Sequence, residues 1–92
     1  MKTQVTKLEM ELLNIIKLYT EEEFSSDSPM WCYTNDIDAD MVIMRGVISS
    51  LIKKGIINTK SYQYTNDALE VDSKYYEVGN DYIANFINLE VK

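Results

Sequence analysis

An apolar stripe with the period of an α-helix is the first pattern along the chain. Between residues 5 and 19, apolar side chains recur every three or four positions, and polar side chains fill most positions between them. The stripe consists of Val5, Leu8, Leu12, Ile15, Ile16 and Tyr19. Thr6 and Glu9 have the spacing of a capping box, with Thr3 as an alternative start. We therefore expect a first helix that ends within Glu21–Phe24.

A second amphipathic helix is predicted from Met41 to Lys54. Its apolar face collects Met44, Val47, Ile48 and Leu51, flanked by Met41, Ile43 and Ile52. The opposite face carries Val42, Arg45, Gly46, Ser49 and Lys53, with Ser50 at its edge. Gly55 readily adopts the left-handed conformation that ends helices, and the helix dipole favours lysines in the last turn. These signals predict that the helix stops at Gly55.

The rest of the chain alternates between strand and helix signals. Residues 56–64 and 69–78 are rich in β-branched and aromatic residues and flank turn residues, so they predict a β-hairpin. Residues 30–33 predict a short strand, and 34–40 predict a short helix or helical turn because several N-cap residue types follow one another. A final helix is expected from Asn80 or Asp81. Its apolar stripe would be Tyr82, Ile83, Phe86 and Ile87, extended by Leu89 and Val91.

Length and composition exclude several classes of protein. With 92 residues, of which 46% are hydrophobic, we expect one folded domain spanning residues 1–92. No apolar run approaches the ~20 residues of a membrane span, and no cleavable signal is evident, so we expect a cytoplasmic protein without a membrane partner. Histidine is absent and Cys32 is the only cysteine, which removes the usual catalytic pairs. No phosphate-binding glycine loop is present either, so we expect a protein that is not an enzyme and needs no cofactor.

The order of elements, together with one motif, resembles the winged helix-turn-helix superfamily. The motif is Leu51–Ile57, in which Leu-x-x-x-Gly is followed by two apolar residues. The resemblance implies an α+β fold of three to four helices with a two-stranded β-hairpin wing. It implies a DNA-binding transcription regulator, in which Met41–Lys54 is the recognition helix and residues 58–73 form the wing. The expected contacts to duplex DNA are Arg45, Ser49, Ser50, Lys53 and Lys60. A homodimer through the first and last helices is also possible under this resemblance.

The charge of the chain supports an alternative interpretation. Fifteen acidic residues against nine basic ones give a net charge of −6, whereas DNA-binding proteins usually carry the opposite balance. The same scaffold would then bind a basic protein, as an inhibitor or a DNA mimic, through acidic side chains. Those side chains are Asp36, Asp38, Asp40, Glu70 and Asp72. A calcium loop is not predicted at the aspartates, because Met41 and Val47 occupy the positions that need Gly and Glu. We expect no metal site.

Overall fold

A computed structural model describes residues 2–23, 30–34, 37, 39–61, 67–78 and 84–92 of the chain. The chain is of the α+β class, with two helices in the described residues. In chain order the elements are β1 (Thr3–Val5), α1 (Lys7–Glu23), β2 (Trp31–Tyr33), α2 (Met41–Lys53), β3 (Ile57–Ser61), β4 (Asp67–Val71), a 3₁₀ turn (Ser73–Tyr75), β5 (Tyr76–Val78), β6 (Ala84–Phe86) and β7 (Leu89–Val91).

The described strands form three small sheets. The largest is antiparallel, with β4 between β2 and β3, so that Leu69 lies opposite Cys32 on one side and Thr59 on the other. Strands β5 and β6 form an antiparallel pair. Strands β1 and β7, from the two ends of the described chain, pair in parallel. This last pairing brings residues near the first and last positions together.

One hydrophobic core joins both helices to the sheets. Leu12, Leu13 and Ile16 of α1 pack in it with Met44, Val47 and Leu51 of α2. Its other buried members are Val5, Met30, Cys32, Ile37, Ile56, Ile57, Leu69, Val71 and Tyr75. Because the core side of α2 is fully used in this packing, the opposite side of the helix faces outwards.

The ends of both helices follow the signals in the sequence. The capping box is confirmed: the Thr6 backbone N–H donates to Glu9 Oε1 at 2.7 Å, and the Glu9 N–H donates to Thr6 Oγ1 at 3.1 Å. At the start of α2, the Asp40 carboxylate accepts a hydrogen bond from the Val42 N–H at 2.9 Å. Gly55 ends the helix with a φ of 75°. The two predicted helices up to residue 55 are therefore confirmed.

The predicted winged helix-turn-helix architecture is wrong. The described residues contain two helices and three small sheets, not three to four helices with a two-stranded wing. The β3–β4 ribbon is not a free wing, because β2 pairs with the other edge of β4. The predicted helical turn at 34–40 is described only in part: the Thr34 carbonyl accepts from the Ile37 N–H at 3.3 Å, while Asn35, Asp36 and Asp38 lie outside the described residues.

The predicted final helix is also wrong where it is described. Residues 84–86 form β6, in which Phe86 lies opposite Tyr76 of β5, and both rings pack against the core. Tyr82 and Ile83 of the expected stripe lie outside the described residues. Pairing with β5 supplies the backbone hydrogen bonds of this segment while Phe86 still contacts the core, so its apolar spacing does not require a helix.

Two further boundaries differ from the predicted ones. The second strand of the ribbon ends at Val71, because Asp72 accepts a hydrogen bond from the Lys74 N–H at 2.9 Å and caps a 3₁₀ turn. Val5, expected in the first helix, belongs instead to β1, where it lies opposite Val91 and is buried. In both cases a side-chain cap or a distant strand outweighs the local pattern.

Candidate functional site

The outward side of α2 is the most distinctive surface of the described residues. We call it the α2 face. It consists of the exposed residues Val42, Ile43, Arg45, Gly46, Ser49, Ile52 and Lys53. Asp40 caps the beginning of α2, and Gly55 follows its end. The amphipathic spacing of residues 41–54 creates this face, because the core takes the opposite stripe.

Three large apolar side chains are exposed on the α2 face. Val42 is 83% exposed, Ile43 is 50% exposed and Ile52 is 39% exposed. By contrast, Met44, Val47 and Leu51 of the same helix are buried in the core. Single exposed apolar residues are common on proteins, whereas contiguous apolar patches mark surfaces that bind another molecule. Val42 lies near the centre line of the α2 face, and Ile43 and Ile52 lie at its two sides.

The charge of the α2 face is entirely positive. Arg45 and Lys53 are both exposed, and the sequence has no acidic residue from position 41 to position 54. Asp40, at the beginning of the helix, uses its carboxylate to cap the Val42 N–H. The face therefore combines apolar side chains with two cations in a chain whose net charge is −6.

An ionic cluster around the buried Glu9 carboxylate holds α2 in place behind this face. We call it the Glu9 clasp, and it consists of Glu9, Ser50 and Lys54 with the Gln4 carbonyl. Glu9 is only 2% exposed; its Oε1 accepts from Lys54 Nζ at 2.7 Å and its Oε2 accepts from Ser50 Oγ at 2.8 Å. Lys54 Nζ also donates to the Gln4 carbonyl at 2.9 Å. The clasp thus joins the beginning of α1, the end of α2 and β1.

The clasp stabilises the charged form of Glu9. Burial raises the pKa of this carboxyl, because a charge is poorly solvated inside the protein. Hydrogen bonds from Lys54, from the Thr6 backbone and from Ser50, together with the positive charge of Lys54, lower it by more. The net pKa of Glu9 is therefore below its ordinary value of 4.5.

The residues expected to contact DNA fall into three groups. Arg45, Ser49 and Lys53 lie together on the α2 face and are exposed. Ser50 instead donates a hydrogen bond inwards to Glu9, so its hydroxyl serves the clasp. Lys60 lies in β3, opposite Ala68, and its side chain is outside the described residues. The structure therefore brings three of the five together on one surface.

The acidic residues expected to bind a basic protein have local roles where they are described. Asp40 caps α2, and Asp72 caps the 3₁₀ turn. Glu70 is half-buried in β4, between Trp31 and Asn58 of the neighbouring strands. Asp36 and Asp38 lie outside the described residues. Two of the described acids thus satisfy backbone N–H groups in addition to carrying charge.

Sequence patterns alone did not show two features of this region. The first is the clasp, since Glu9 and Lys54 are 45 positions apart and only the capping-box role of Glu9 is visible locally. The second is the exposure of Ile43 and Ile52, which the helical spacing places beside the buried stripe. The sequence did place Ile43 and Ile52 at the sides of the apolar stripe. A residue at such a position can face either the core or the solvent, so the pattern did not decide between the two.

Comparison with known proteins gives no family for this chain. No family model matches it, and neither the curated proteins nor the solved structures yield a significant match. None of these comparisons therefore supports the winged-helix resemblance. Separately, no helix in the described part of the chain has the length and apolar character needed to cross a bilayer.

Proposed function

We propose that this protein is a binding module that engages another protein through the α2 face. The observation on which the proposal rests is the exposure of Val42, Ile43 and Ile52, together with Arg45, on the same helix. The centres of protein interfaces are more apolar than the surrounding surface, enriched in arginine and depleted of acids, lysine and serine. Val42, Ile43, Ile52 and Arg45 fit this composition, whereas Ser49 and Lys53 are of residue types that such centres contain less often.

The apolar side chains supply a driving force for association. Burying a valine or isoleucine side chain fully contributes about 1.5–3 kcal/mol relative to leaving it in water. Val42, at 83% exposed, retains most of that contribution for a partner. Ile43 and Ile52 retain a part of theirs, so each of the three can contribute to an interface that also involves polar contacts.

The rest of the fold presents the α2 face in a fixed orientation. Met44, Val47 and Leu51 are buried in the core, and the clasp ties the end of the helix to α1 and β1. A surface that is already ordered loses less conformational entropy when it binds. This supports a role for α2 as a preformed docking element.

Duplex DNA is the second candidate partner. The exposure of Arg45, Ser49 and Lys53 on a face without acids favours it, because such side chains contact phosphates and base edges. Only two cations lie on this face, however, and its apolar side chains outnumber them. Strong DNA binding generally involves several phosphate contacts, so the protein partner accounts better for the face.

A peptide selection tests the proposal and does not require the natural partner. A displayed library of random peptides is selected on the immobilised wild-type protein, and the affinities of enriched peptides are measured by fluorescence anisotropy. We expect Val42→Glu to weaken them by about tenfold or more, which corresponds to about 1.4 kcal/mol. Leu18→Glu is the matched control, since Leu18 is a 54% exposed apolar residue of α1. It should leave the affinities within about twofold.

Two results contradict this proposal. One is a set of enriched peptides that bind wild type and Val42→Glu equally. The other is retention of a duplex of about 20 base pairs at low salt, with loss of binding as salt rises and on Arg45→Glu, which would establish the DNA candidate instead.

A further inference from the structure

We propose that the segment which docks on the α2 face is an amphipathic helix with acidic residues on its flanks. This inference rests on the proposed function and specifies the chemistry of the partner. Three features of the described residues support it: the spacing of the outward positions, the glycine at their centre and the distribution of charge.

The outward positions of α2 have the spacing of a helix-packing seam. Val42, Gly46 and Ser49 are separated by four and three residues, and Lys53, four residues further on, ends this line with a long side chain whose charged group can reach the flank of a docked helix. In helix pairs this alternation of threes and fours keeps one line of side chains towards a partner helix. Ile43 and Ile52 lie on opposite sides of that line, where they can contact the flanks of a docked helix.

Gly46 leaves the middle of the seam without a side chain. Glycine destabilises a helix interior relative to alanine, and here a Cβ would have nothing within 4 Å. The packing of the described residues therefore does not require a glycine at this position. With Ser49 one turn further on, it leaves a shallow section in which the backbone of a second helix can approach closely.

The charge of the face selects an acidic partner. Arg45 and Lys53 are eight positions apart, which is about 12 Å along the helix axis. No acid between positions 41 and 54 offsets them. Carboxylates about two turns apart on the flanks of a docked helix are able to pair with both cations. Complementary charges of this kind favour correct partners and raise association rates.

A second copy of α2 is a poor occupant of the same face. Antiparallel docking of two α2 helices through their seams would place two copies of Arg45 and two of Lys53 in one small interface. Like charges brought together in an interface disfavour association. The complementary surface is therefore an acidic and apolar helix of a different protein.

A restricted helix library tests the chemistry of the occupant. A displayed helical peptide of about 20 residues keeps an apolar seam and randomises the flanking positions to Glu, Gln, Lys or Ala. We expect enrichment of Glu two turns apart. Replacing these glutamates by Gln in the enriched peptide should weaken binding about tenfold.

Charge reversal on the protein provides the decisive comparison. The double variant Arg45→Glu with Lys53→Glu should bind the Glu-flanked peptide at least about tenfold more weakly and should prefer a Lys-flanked version. Reversal at the exposed Lys92, outside the α2 face, is the matched control and should leave the preference unchanged. Circular dichroism verifies that each variant remains folded.

The outcomes separate this inference from the proposed function. Peptides that lose binding on Val42→Glu but show no enrichment of Glu, or that bind without forming a helix, overturn the acidic helix and leave protein binding through α2 intact. A random library from which no peptide depends on Val42 overturns both. A library that enriches Lys on the flanks also overturns the inference.

Discussion

Replacing Glu9 by alanine removes every hydrogen bond that the Glu9 carboxylate accepts in the clasp. The variant deletes the hydrogen bonds that Oε1 and Oε2 accept from Lys54 and Ser50, and the one that Oε1 accepts from the Thr6 backbone. The side chain is only 2% exposed, so water does not replace these partners within the native protein. We therefore expect a substantial loss in the free energy of unfolding.

The magnitude follows from the parts of the clasp. Loss of the capping interaction costs about 1 kcal/mol. Removing one member of a fully buried ion pair costs about 3–5 kcal/mol, whereas an exposed pair is worth about 0–1 kcal/mol. Lys54 is 33% exposed and keeps its bond to the Gln4 carbonyl, so its loss lies between these limits, at about 1–2 kcal/mol. The total for Glu9→Ala is about 2–3 kcal/mol.

Urea denaturation followed by circular dichroism measures this loss. At a slope of about 1 kcal/mol per molar urea, the midpoint should fall by about 2–3 M. Glu11→Ala is the matched control, because Glu11 lies on the same helix but is exposed, and it should change stability by less than about 0.5 kcal/mol. Equal midpoints for Glu9→Ala and Glu11→Ala would refute the view that the clasp stabilises the fold.

Three other predictions concern the same fold. Because the pKa of Glu9 is lowered in the folded state, its contribution is complete above the ordinary value of 4.5 and is lost as the pH falls through the folded value. The urea midpoint of wild type should then fall more steeply on acidification than that of Glu9→Gln; parallel curves would contradict the lowered pKa. Leu51→Ala should cost about 2–5 kcal/mol in urea denaturation, since Leu51 is fully buried, while Val42→Thr should cost less than about 0.5 kcal/mol; similar losses would disprove the orientation of α2. Asn88 has a φ of 61° and donates from Nδ2 to the Lys74 carbonyl at 2.9 Å, so Asn88→Ala should destabilise by about 1–2 kcal/mol and Asn88→Gly by less; in thermal melts, a greater loss for glycine would argue against the left-handed turn.

Local signals were sufficient to predict the two helices α1 and α2. Asp40 and Gly55 are adjacent to the two ends of α2, and the spacing of its apolar residues fixes the buried side. The capping box of α1 likewise depends on residues three positions apart. Where the physical cause of an element lies within a few residues, the sequence shows it.

The rest of the fold depends on contacts between distant residues. Strand β1 forms because β7, more than eighty positions later, provides its partner, and no local pattern indicates this pairing. The segment that contains Phe86 has spacing compatible with a helix, but pairing with β5 decides its structure. The periodicity of residues along the chain does not indicate which distant strands will pair.

For the candidate site, the sequence likewise predicted the features that depend on local spacing but not those that depend on distant contacts. Helical spacing placed Arg45, Ser49 and Lys53 on one outward face, and the structure shows all three exposed there. The same spacing put Ser50 at the edge of the outward face, where the structure finds its hydroxyl bonded to Glu9. A local pattern thus identifies a face, whereas the partner of each side chain depends on the element packed beside it.

Amide chemical-shift mapping tests the central claim most directly. The ¹⁵N-labelled protein is titrated with the most strongly enriched peptide from the random library, and the shift of each backbone amide is followed. Binding through the α2 face predicts that the largest changes fall on residues 42–53, and that Val42→Glu abolishes them while Leu18→Glu preserves them. Changes concentrated on β3, β4 or β7, with α2 unaffected, would contradict the claim.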